Sequence, residues 1–266
     1  MLEDIFPEPE LEKFKVHFAR WDQKAHPLEV YGRSLEEWRG WQEYRPGRDD
    51  FNRPHIFSLM HVYYEPNMWL FGGIWDVKER LADQYVVEMS DAMRGFCGRL
   101  KLRSAYKNRT TRTNFENHYH TFEVAEVLSE PYSGRLFPGF SDIDLSFDEL
   151  ETVVRNNRLD WRASLENMKG VYLITDVLTG KRYVGSAYGE QGIWSRWCSY
   201  VGSGHGGNIE LRNLVTDPSL EYCRTNFRFA LLEHISARES DDRVLAREGF
   251  WKQILLTRGA FGFNRN

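Results

Sequence analysis

Two short apolar segments, each carrying a tyrosine, constrain the fold of this chain more than any other feature. They are residues 170–174 (Gly-Val-Tyr-Leu-Ile) and residues 182–186 (Arg-Tyr-Val-Gly-Ser), separated by a polar turn at 176–181. Apolar runs on either side of a short turn predict a β-hairpin. Tyr172 and Tyr183 are then expected on neighbouring strands, where two phenols can hold a water molecule and a phosphate.

Composition narrows the class of protein. The 266 residues suffice for one large domain or two small ones, and no apolar run approaches the roughly 20 residues of a membrane helix. The acidic start lacks the order of a secretory signal. Three widely spaced cysteines argue against a disulfide framework or a zinc site, so we expect a cytoplasmic protein with no membrane partner.

The net charge of −4 hides a difference along the chain. Residues 161–266 carry 14 basic and 11 acidic side chains, whereas residues 1–160 carry 21 and 28. Within the acidic part, residues 94–115 contain basic side chains and no acid. Such a patch can bind phosphate, although a solvated strand face accounts for it equally well. The basic residues are Arg94, Arg99, Lys101, Arg103, Lys107, Arg109 and Arg112.

The first half of the chain predicts a mainly β domain. Residues 1–50 are expected to be helical and irregular, with a capped helix starting at Ser34. Five short apolar segments follow, which favours a small barrel or curled sheet within residues 50–140. Gly72 and Gly73 inside the second segment indicate a bulge or tight bend. The predicted strands are residues 56–64, 69–77, 84–89, 98–103 and 121–128.

The remaining chain alternates between helices and strands. Ser146 and Glu149 fit a capping box, which predicts a helix over 147–157. The polar run 155–158 marks the expected boundary between a domain of residues 1–158 and a domain of residues 159–266. A second helix is expected over 161–168, ahead of the first tyrosine strand.

Polar residues capable of phosphate chemistry follow the hairpin at intervals. Arg196 and Tyr200 are four residues apart and share one face of a predicted helix. His205 lies in a glycine-rich loop, where it could donate to a phosphate or be an ordinary loop residue. A third strand is predicted within 222–233. Glu248 falls in an apolar stripe of the next predicted helix, 243–256, where either Mg²⁺ or an arginine would compensate its charge.

The order of these residues resembles the GIY-YIG nuclease family over residues 168–266. Gly170-Val171-Tyr172 matches the first family motif and Tyr183-Val184-Gly185 the second, with Val in place of Ile in both. Ser186 stands where some repair-type members have a lysine, so the lysine-assisted mechanism of those members is not expected here. The remaining matches are Arg196, Tyr200, Glu248 and Asn264, and the loop at 204–208 is similar to one that many members carry.

The resemblance implies a fold and a mechanism. It implies an α+β fold whose C-terminal GIY-YIG domain has a small three-stranded antiparallel sheet flanked by helices. Glu248 would bind Mg²⁺ or Mn²⁺, and Arg196 would neutralise charge in the transition state. Tyr172 would position the attacking water, or act as a base if its pKa is lowered. Tyr183 and Tyr200 would orient water and phosphate, and Asn264 would fix the site through its amide.

The N-terminal strands resemble PUA-like barrels, some of which read flipped or modified bases; a plain scaffold is the alternative. A reader domain would place Lys101, Arg103, Lys107, Arg109 and Arg112 near nucleic acid. We therefore expect a Mg²⁺-dependent DNA endonuclease, of restriction or defence type, acting on double-stranded DNA. The alternatives are a homing or repair endonuclease, an RNA-directed enzyme, and an inactive binding module. A homodimer would supply two sites for cutting both strands.

Overall fold

The computed structural model describes residues 1–7, 9–189 and 192–265. The chain folds as two compact units, Met1–Tyr132 and Ser133–Asn266. Each unit combines helices with a β-sheet, which confirms the predicted α+β class. Short 3₁₀ helices occur in the connections. None of the helices in the described ranges is both long and apolar enough to cross a membrane.

The N-terminal unit is built on a seven-stranded open sheet. Its path runs β6-β1-β2-β3-β5-β7, and β4 pairs with the C-terminal half of β3. The end strands β6 and β7 are not paired with each other, so the described residues form an open sheet and not a closed barrel, the first of the two predicted arrangements. The strands are β1 (Phe14–Ala19), β2 (His55–His61), β3 (Met68–Arg80), β4 (Tyr85–Met89), β5 (Leu100–Arg103), β6 (Arg112–Asn114) and β7 (Glu123–Val127).

The first 50 residues differ in part from the helical prediction, because they contribute β1, which lies between β6 and β2 in this sheet. Strand β1 runs parallel to β2 and antiparallel to β6, and almost all of its side chains are buried. Two helices follow, α1 (Pro27–Arg33) and α2 (Leu35–Glu43). Ser34 caps α2 as predicted, since its Oγ accepts a hydrogen bond from the Glu37 amide at 3.2 Å.

The predicted bulge at Gly72 and Gly73 is confirmed. Phe57 pairs with Ile74 and Leu59 with Phe71, so two glycines on β3 oppose one residue of β2. Gly73 adopts a φ of +99°, which favours glycine.

The C-terminal unit contains a four-stranded antiparallel sheet in the order β10-β9-β11-β8. Its strands are β8 (Asp144–Ser146), β9 (Met168–Asp176), β10 (Arg182–Ala187) and β11 (Phe227–Ser236). Its helices are α3 (Phe147–Arg155), α4 (Leu159–Leu165), α5 (Gly192–Ser203), α6 (Ile209–Leu214), α7 (Glu221–Asn226) and α8 (Asp241–Ile254).

Strand β8 corrects the three-stranded prediction. It pairs with β11, and the following helix α3 packs against α5 and α7, so these residues belong to the C-terminal unit although sequence analysis put them before the boundary. The predicted capping box of α3 is confirmed, with Ser146 and Glu149 exchanging hydrogen bonds of 2.7 and 3.2 Å. The start of the third predicted strand is helical (α7), and Ser240 caps α8.

Candidate active site

The tyrosine hairpin forms as predicted from β9 and β10. Tyr172 lies opposite Gly185, and Tyr183 lies opposite Ile174. Facing residues of an antiparallel pair share one side of the sheet, and so do residues two apart, which places both phenols on the same side. A Cβ atom on Gly185 would come within 2.5 Å of the Tyr172 phenol. Glycine at this position therefore makes room for the Tyr172 ring.

A hydrogen-bonded network joins two buried phenols to an arginine. The hydroxyls of Tyr172 and Tyr200 are 3.1 Å apart, and both side chains are fully buried. Arg196, one turn before Tyr200 on α5, donates from Nε to the Tyr172 hydroxyl at 3.0 Å and from Nη2 to the Tyr200 hydroxyl at 3.4 Å. The network therefore fixes the plane of a guanidinium that is itself only half-buried.

Burial raises the pKa of Tyr172, and neighbouring Tyr183 raises it further, although the charge of Arg196 opposes both effects. The phenol therefore stays protonated at neutral pH. A general base would need the opposite shift, so the condition for a base role of Tyr172 is not met here, whereas its predicted role in positioning water does not depend on this pKa. Burial likewise raises the pKa of Tyr200.

The glycine loop after α5 holds the other edge of the guanidinium. Arg196 donates from Nη1 to the Gly206 carbonyl at 2.7 Å. Gly206 has a φ of +53°, and a Cβ atom there would lie 2.6 Å from the Tyr200 ring. Nδ1 of His205 accepts a hydrogen bond from the Gly207 amide at 3.0 Å, and partial burial, followed by the charge of Arg212, lowers the pKa of His205. These contacts give His205 a role in shaping the loop.

A cavity of about 900 Å³ lies beside this network, bordered by β10, α5, α8 and the chain terminus. Its wall combines cations and carboxylates with phenol, hydroxyl and amide groups. Tyr183 and Arg196 reach the cavity, whereas Tyr172, Tyr200 and His205 do not line it. The principal polar lining residues are Tyr183, Ser186, Tyr188, Arg196, Asn208, Glu210, Glu248, Lys252, Asn264 and Arg265.

Glu248 projects from α8 into this cavity, 13% exposed. Its Oε2 accepts a hydrogen bond from Ser186 Oγ at 2.9 Å, and its Oε1 lies 3.1 Å from the ammonium nitrogen of Lys252. In the described residues, no three His, Cys, Asp or Glu side chains cluster closely enough to hold a metal ion by themselves. An ion bound by Glu248 would therefore complete its coordination with water or ligand.

Asn264 anchors the end of the chain to the hairpin. Its amide oxygen accepts from the Val184 backbone amide at 2.9 Å, and its amide nitrogen donates to the Val184 carbonyl at 2.8 Å. This pair of bonds imitates a neighbouring strand at the middle of β10. Asn264 is buried and therefore acts on the site by holding the strand that carries Tyr183.

The predicted nucleic-acid contacts of the N-terminal unit differ in their exposure and in their partners. Arg103, Lys107 and Arg109 are exposed. Lys101 is paired with Glu65 at 2.6 Å and with Glu126 at 3.4 Å.

Arg112 is withdrawn into the N-terminal unit, with a side chain only 8% exposed. Its guanidinium lies 4.3 Å from the centre of the Phe51 ring, and Nη2 donates to the Tyr44 carbonyl at 2.7 Å. Burial, followed by the charge of Arg112, lowers the pKa of His17 to about 3. Arg112 thus acts inside the fold, and its predicted phosphate contact is not available in this conformation.

Sequence reasoning missed Lys252, Arg265 and Glu210 as cavity residues. The spacing of Glu248 and Lys252, one helical turn apart, was a usable signal for an ion pair. Arg265 follows Asn264 directly and pairs with Glu210 of α6. That contact joins residues 55 positions apart, which no local pattern encodes.

Comparison with known proteins gives one structural match. No protein-family description matches the chain, and no curated protein matches it either. Among solved structures, the chain is similar to the catalytic domain of the homing endonuclease I-TevI, with 28% sequence identity over 37% of this chain and 98% of that domain, at a TM-score of 0.28. A TM-score of this size is too low to establish a shared fold.

Proposed function

We propose that the C-terminal unit is a nuclease that hydrolyses phosphodiester bonds of DNA. The observation that carries this proposal is the meeting of Arg196 and Glu248 at one cavity, from segments some 50 residues apart in sequence. A guanidinium is suited to the oxygens of a phosphate, whereas a carboxylate is suited to a divalent cation. Tyr183 on the same wall adds a phenol that can orient water or phosphate.

A divalent cation fits the chemistry of this wall. Mg²⁺ takes oxygen ligands, keeps several waters and commonly uses one or two carboxylates together with substrate phosphate. Glu248 supplies such a carboxylate at the cavity surface, and Ser186 orients it. When bound, Mg²⁺ or Mn²⁺ would polarise a phosphoryl oxygen as a Lewis acid.

The protein side chains have two roles in this reaction, contact with the phosphate and positioning of the residues that make that contact. Arg196 contacts the phosphate and stabilises the additional negative charge that develops as water attacks phosphorus and the ester oxygen leaves. Tyr172 and Tyr200 are positioning residues, because they are buried and hold the guanidinium through hydrogen bonds. Asn264 positions β10 and hence Tyr183.

A restriction or defence role, recognition by the N-terminal unit, dimerisation and a cytoplasmic location remain predictions from the sequence. The exposed residues Arg103, Lys107 and Arg109 support nucleic-acid binding by the N-terminal unit. A homing or repair role would use the same cavity, and RNA in place of DNA is an outcome of the experiment below.

Nicking of supercoiled plasmid in Mg²⁺ or in EDTA tests the proposal. We expect Mg²⁺-dependent nicking, and we expect Glu248→Gln to lower its rate by about 10²–10³ while DNA binding persists. Glutamine preserves the size of the side chain, which limits structural damage. Glu239→Gln is the matched control, because Glu239 pairs with an exposed arginine, Arg243, at 3.2 Å.

Two results would refute this assignment: nicking that continues in EDTA, or Glu248→Gln with the wild-type rate. Labelled RNA run beside the plasmid distinguishes the two nucleic acids. Retained DNA binding with no cleavage under any divalent cation would favour the inactive binding module.

A further inference from the structure

Helix α8 buries a lysine and exposes aliphatic side chains. Lys252 is 9% exposed, whereas Leu245 is 43% and Ile254 57% exposed. Of the apolar stripe predicted for this helix (Val244, Trp251 and Leu255), Val244 is buried and the other two are half-buried. Lys252, two turns after Val244, is buried as well. Burying an ammonium group is costly unless a carboxylate compensates it. Glu248, 3.1 Å away, provides that compensation.

Both ends of this ion pair line the cavity. The Glu248 carboxylate already contacts a hydroxyl through one oxygen and an ammonium through the other. A divalent cation that bound Glu248 with Lys252 still in place would lie within a few ångströms of a like charge. At such a distance in a partly buried site, the two like charges repel each other more strongly than they would in water.

We propose that Lys252 is the resident counter-cation of Glu248, and that a divalent ion must displace it from the carboxylate in order to bind. This inference rests on the proposed metal role of Glu248. Without the ion, Lys252 holds the carboxylate in position and neutralises it. After displacement, the Lys252 ammonium still lies at the cavity, where it pairs with a phosphate of the nucleic acid. Metal and nucleic acid then strengthen each other's binding. The metal releases Lys252 for the phosphate, and the phosphate gives the displaced ammonium a new partner.

The first measurement is the affinity of the full chain for Mn²⁺ without nucleic acid, from the electron paramagnetic resonance signal of the free ion. Lys252→Met keeps most of the apolar stem and removes the charge. We expect it to bind Mn²⁺ at least about fivefold more tightly than the wild type. We expect Lys252→Arg to stay within about twofold, because an arginine still reaches Glu248.

Two controls separate an ion pair from a general effect of charge. Arg265 lines the same cavity and is 60% exposed, and Arg243 lies on the same helix. If displacement of Lys252 is the cause, Arg265→Met and Arg243→Met change Mn²⁺ affinity by less than about twofold. If Arg265→Met gains as much Mn²⁺ affinity as Lys252→Met, the inference is wrong, and the total positive charge around the cavity explains the effect.

The second measurement adds a nuclease-resistant phosphorothioate oligonucleotide. In the wild type we expect the oligonucleotide to tighten Mn²⁺ binding, and in Lys252→Met we expect most of that gain to disappear. Should Lys252→Met fail to fold, the Lys252 side-chain resonance of the wild type gives the answer, because a displaced ammonium shifts on addition of Mg²⁺ and an undisturbed one does not.

The failures of the two proposals are distinguishable. If Glu248→Gln leaves Mn²⁺ binding unchanged, the metal role of Glu248 and the role of Lys252 both fall. If Glu248→Gln weakens Mn²⁺ binding but Lys252→Met does not tighten it, the metal role of Glu248 stands and only the proposed role of Lys252 is refuted.

Discussion

Arg196 and Arg112 are both predicted from the sequence to contact phosphate, and the two units place them in opposite environments. Arg112 is packed within the N-terminal unit, with its guanidinium against the Phe51 ring and bonded to a backbone carbonyl. Arg196 is bonded at one edge to the buried phenols of Tyr172 and Tyr200, and it lines a polar cavity. The first arginine is enclosed by its own unit, whereas the second is held by hydrogen bonds beside a polar cavity.

The difference predicts different roles for the two arginines. A buried guanidinium with internal partners stabilises a fold, and its loss is felt as lost packing and lost hydrogen bonds. A guanidinium whose orientation is fixed from behind, with a face toward a cavity, can meet an anion without reorganisation. The two arginines therefore predict separable effects on stability and on catalysis.

The largest effect should come from exchanging each arginine for methionine. Arg196→Met is expected to lower the cleavage rate by about 10²–10³, since it removes the cation that faces the phosphate. Arg112→Met is expected to keep the rate within about twofold and to lower the free energy of unfolding by about 1–3 kcal/mol. Denaturant unfolding and plasmid nicking, measured on both variants, check the two outcomes. If the Arg112→Met variant is folded but inactive, Arg112 also has a role in activity, and the proposed difference between the two arginines is wrong.

Gly206 offers an intermediate test of how Arg196 is held. Alanine there combines a positive φ with a clash against Tyr200, so we expect a loss of about 2 kcal/mol or more in unfolding free energy and a marked loss of activity. Gly207 has a φ of +83° but open space around it, and its alanine variant should lose only about 1 kcal/mol. Gly202, in α5 with open space and no positive φ, should tolerate alanine.

These three variants form a matched series, measured by chemical unfolding and by cleavage rate. Equal losses at Gly206 and Gly207 would mean that backbone strain, rather than the contact with Tyr200, explains the requirement for glycine.

The smallest effect concerns the exposed basic residues of the N-terminal unit. If Arg103, Lys107 and Arg109 contact phosphates, replacing each with glutamine should reduce the slope of log affinity against log salt by about 0.9. Lys101→Gln is the control, because Lys101 is paired with Glu65 and Glu126. Binding isotherms at several salt concentrations give the slopes, and an unchanged slope in the triple variant would remove this surface from the interface.

Local patterns predicted the elements whose signals are local. The hairpin of Tyr172 and Tyr183, the capping box at Ser146 and the bulge at Gly72 and Gly73 each depend on a few adjacent residues. The spacing of Arg196 and Tyr200 on one helix is likewise fixed by helical geometry.

Contacts between distant segments could not be predicted in the same way. Strand β1 was missed because it pairs with β2, some 40 residues later, and lacks a turn signal of its own. The burial of Arg112 depends on Phe51 and Tyr44 from earlier in the chain. The position of Lys252 depends on the rotation of α8 against the sheet, which its mixed apolar pattern does not determine.

The most direct test of a shared phosphate and metal site at Arg196 and Glu248 is a crystal structure of the chain with a phosphorothioate DNA duplex and Mn²⁺. We predict one backbone phosphate within about 3 Å of the Arg196 guanidinium and an anomalous Mn²⁺ peak about 2 Å from a Glu248 oxygen. A phosphate bound away from Arg196, or a Glu248 still paired with Lys252 while Mn²⁺ lies elsewhere, would contradict the account.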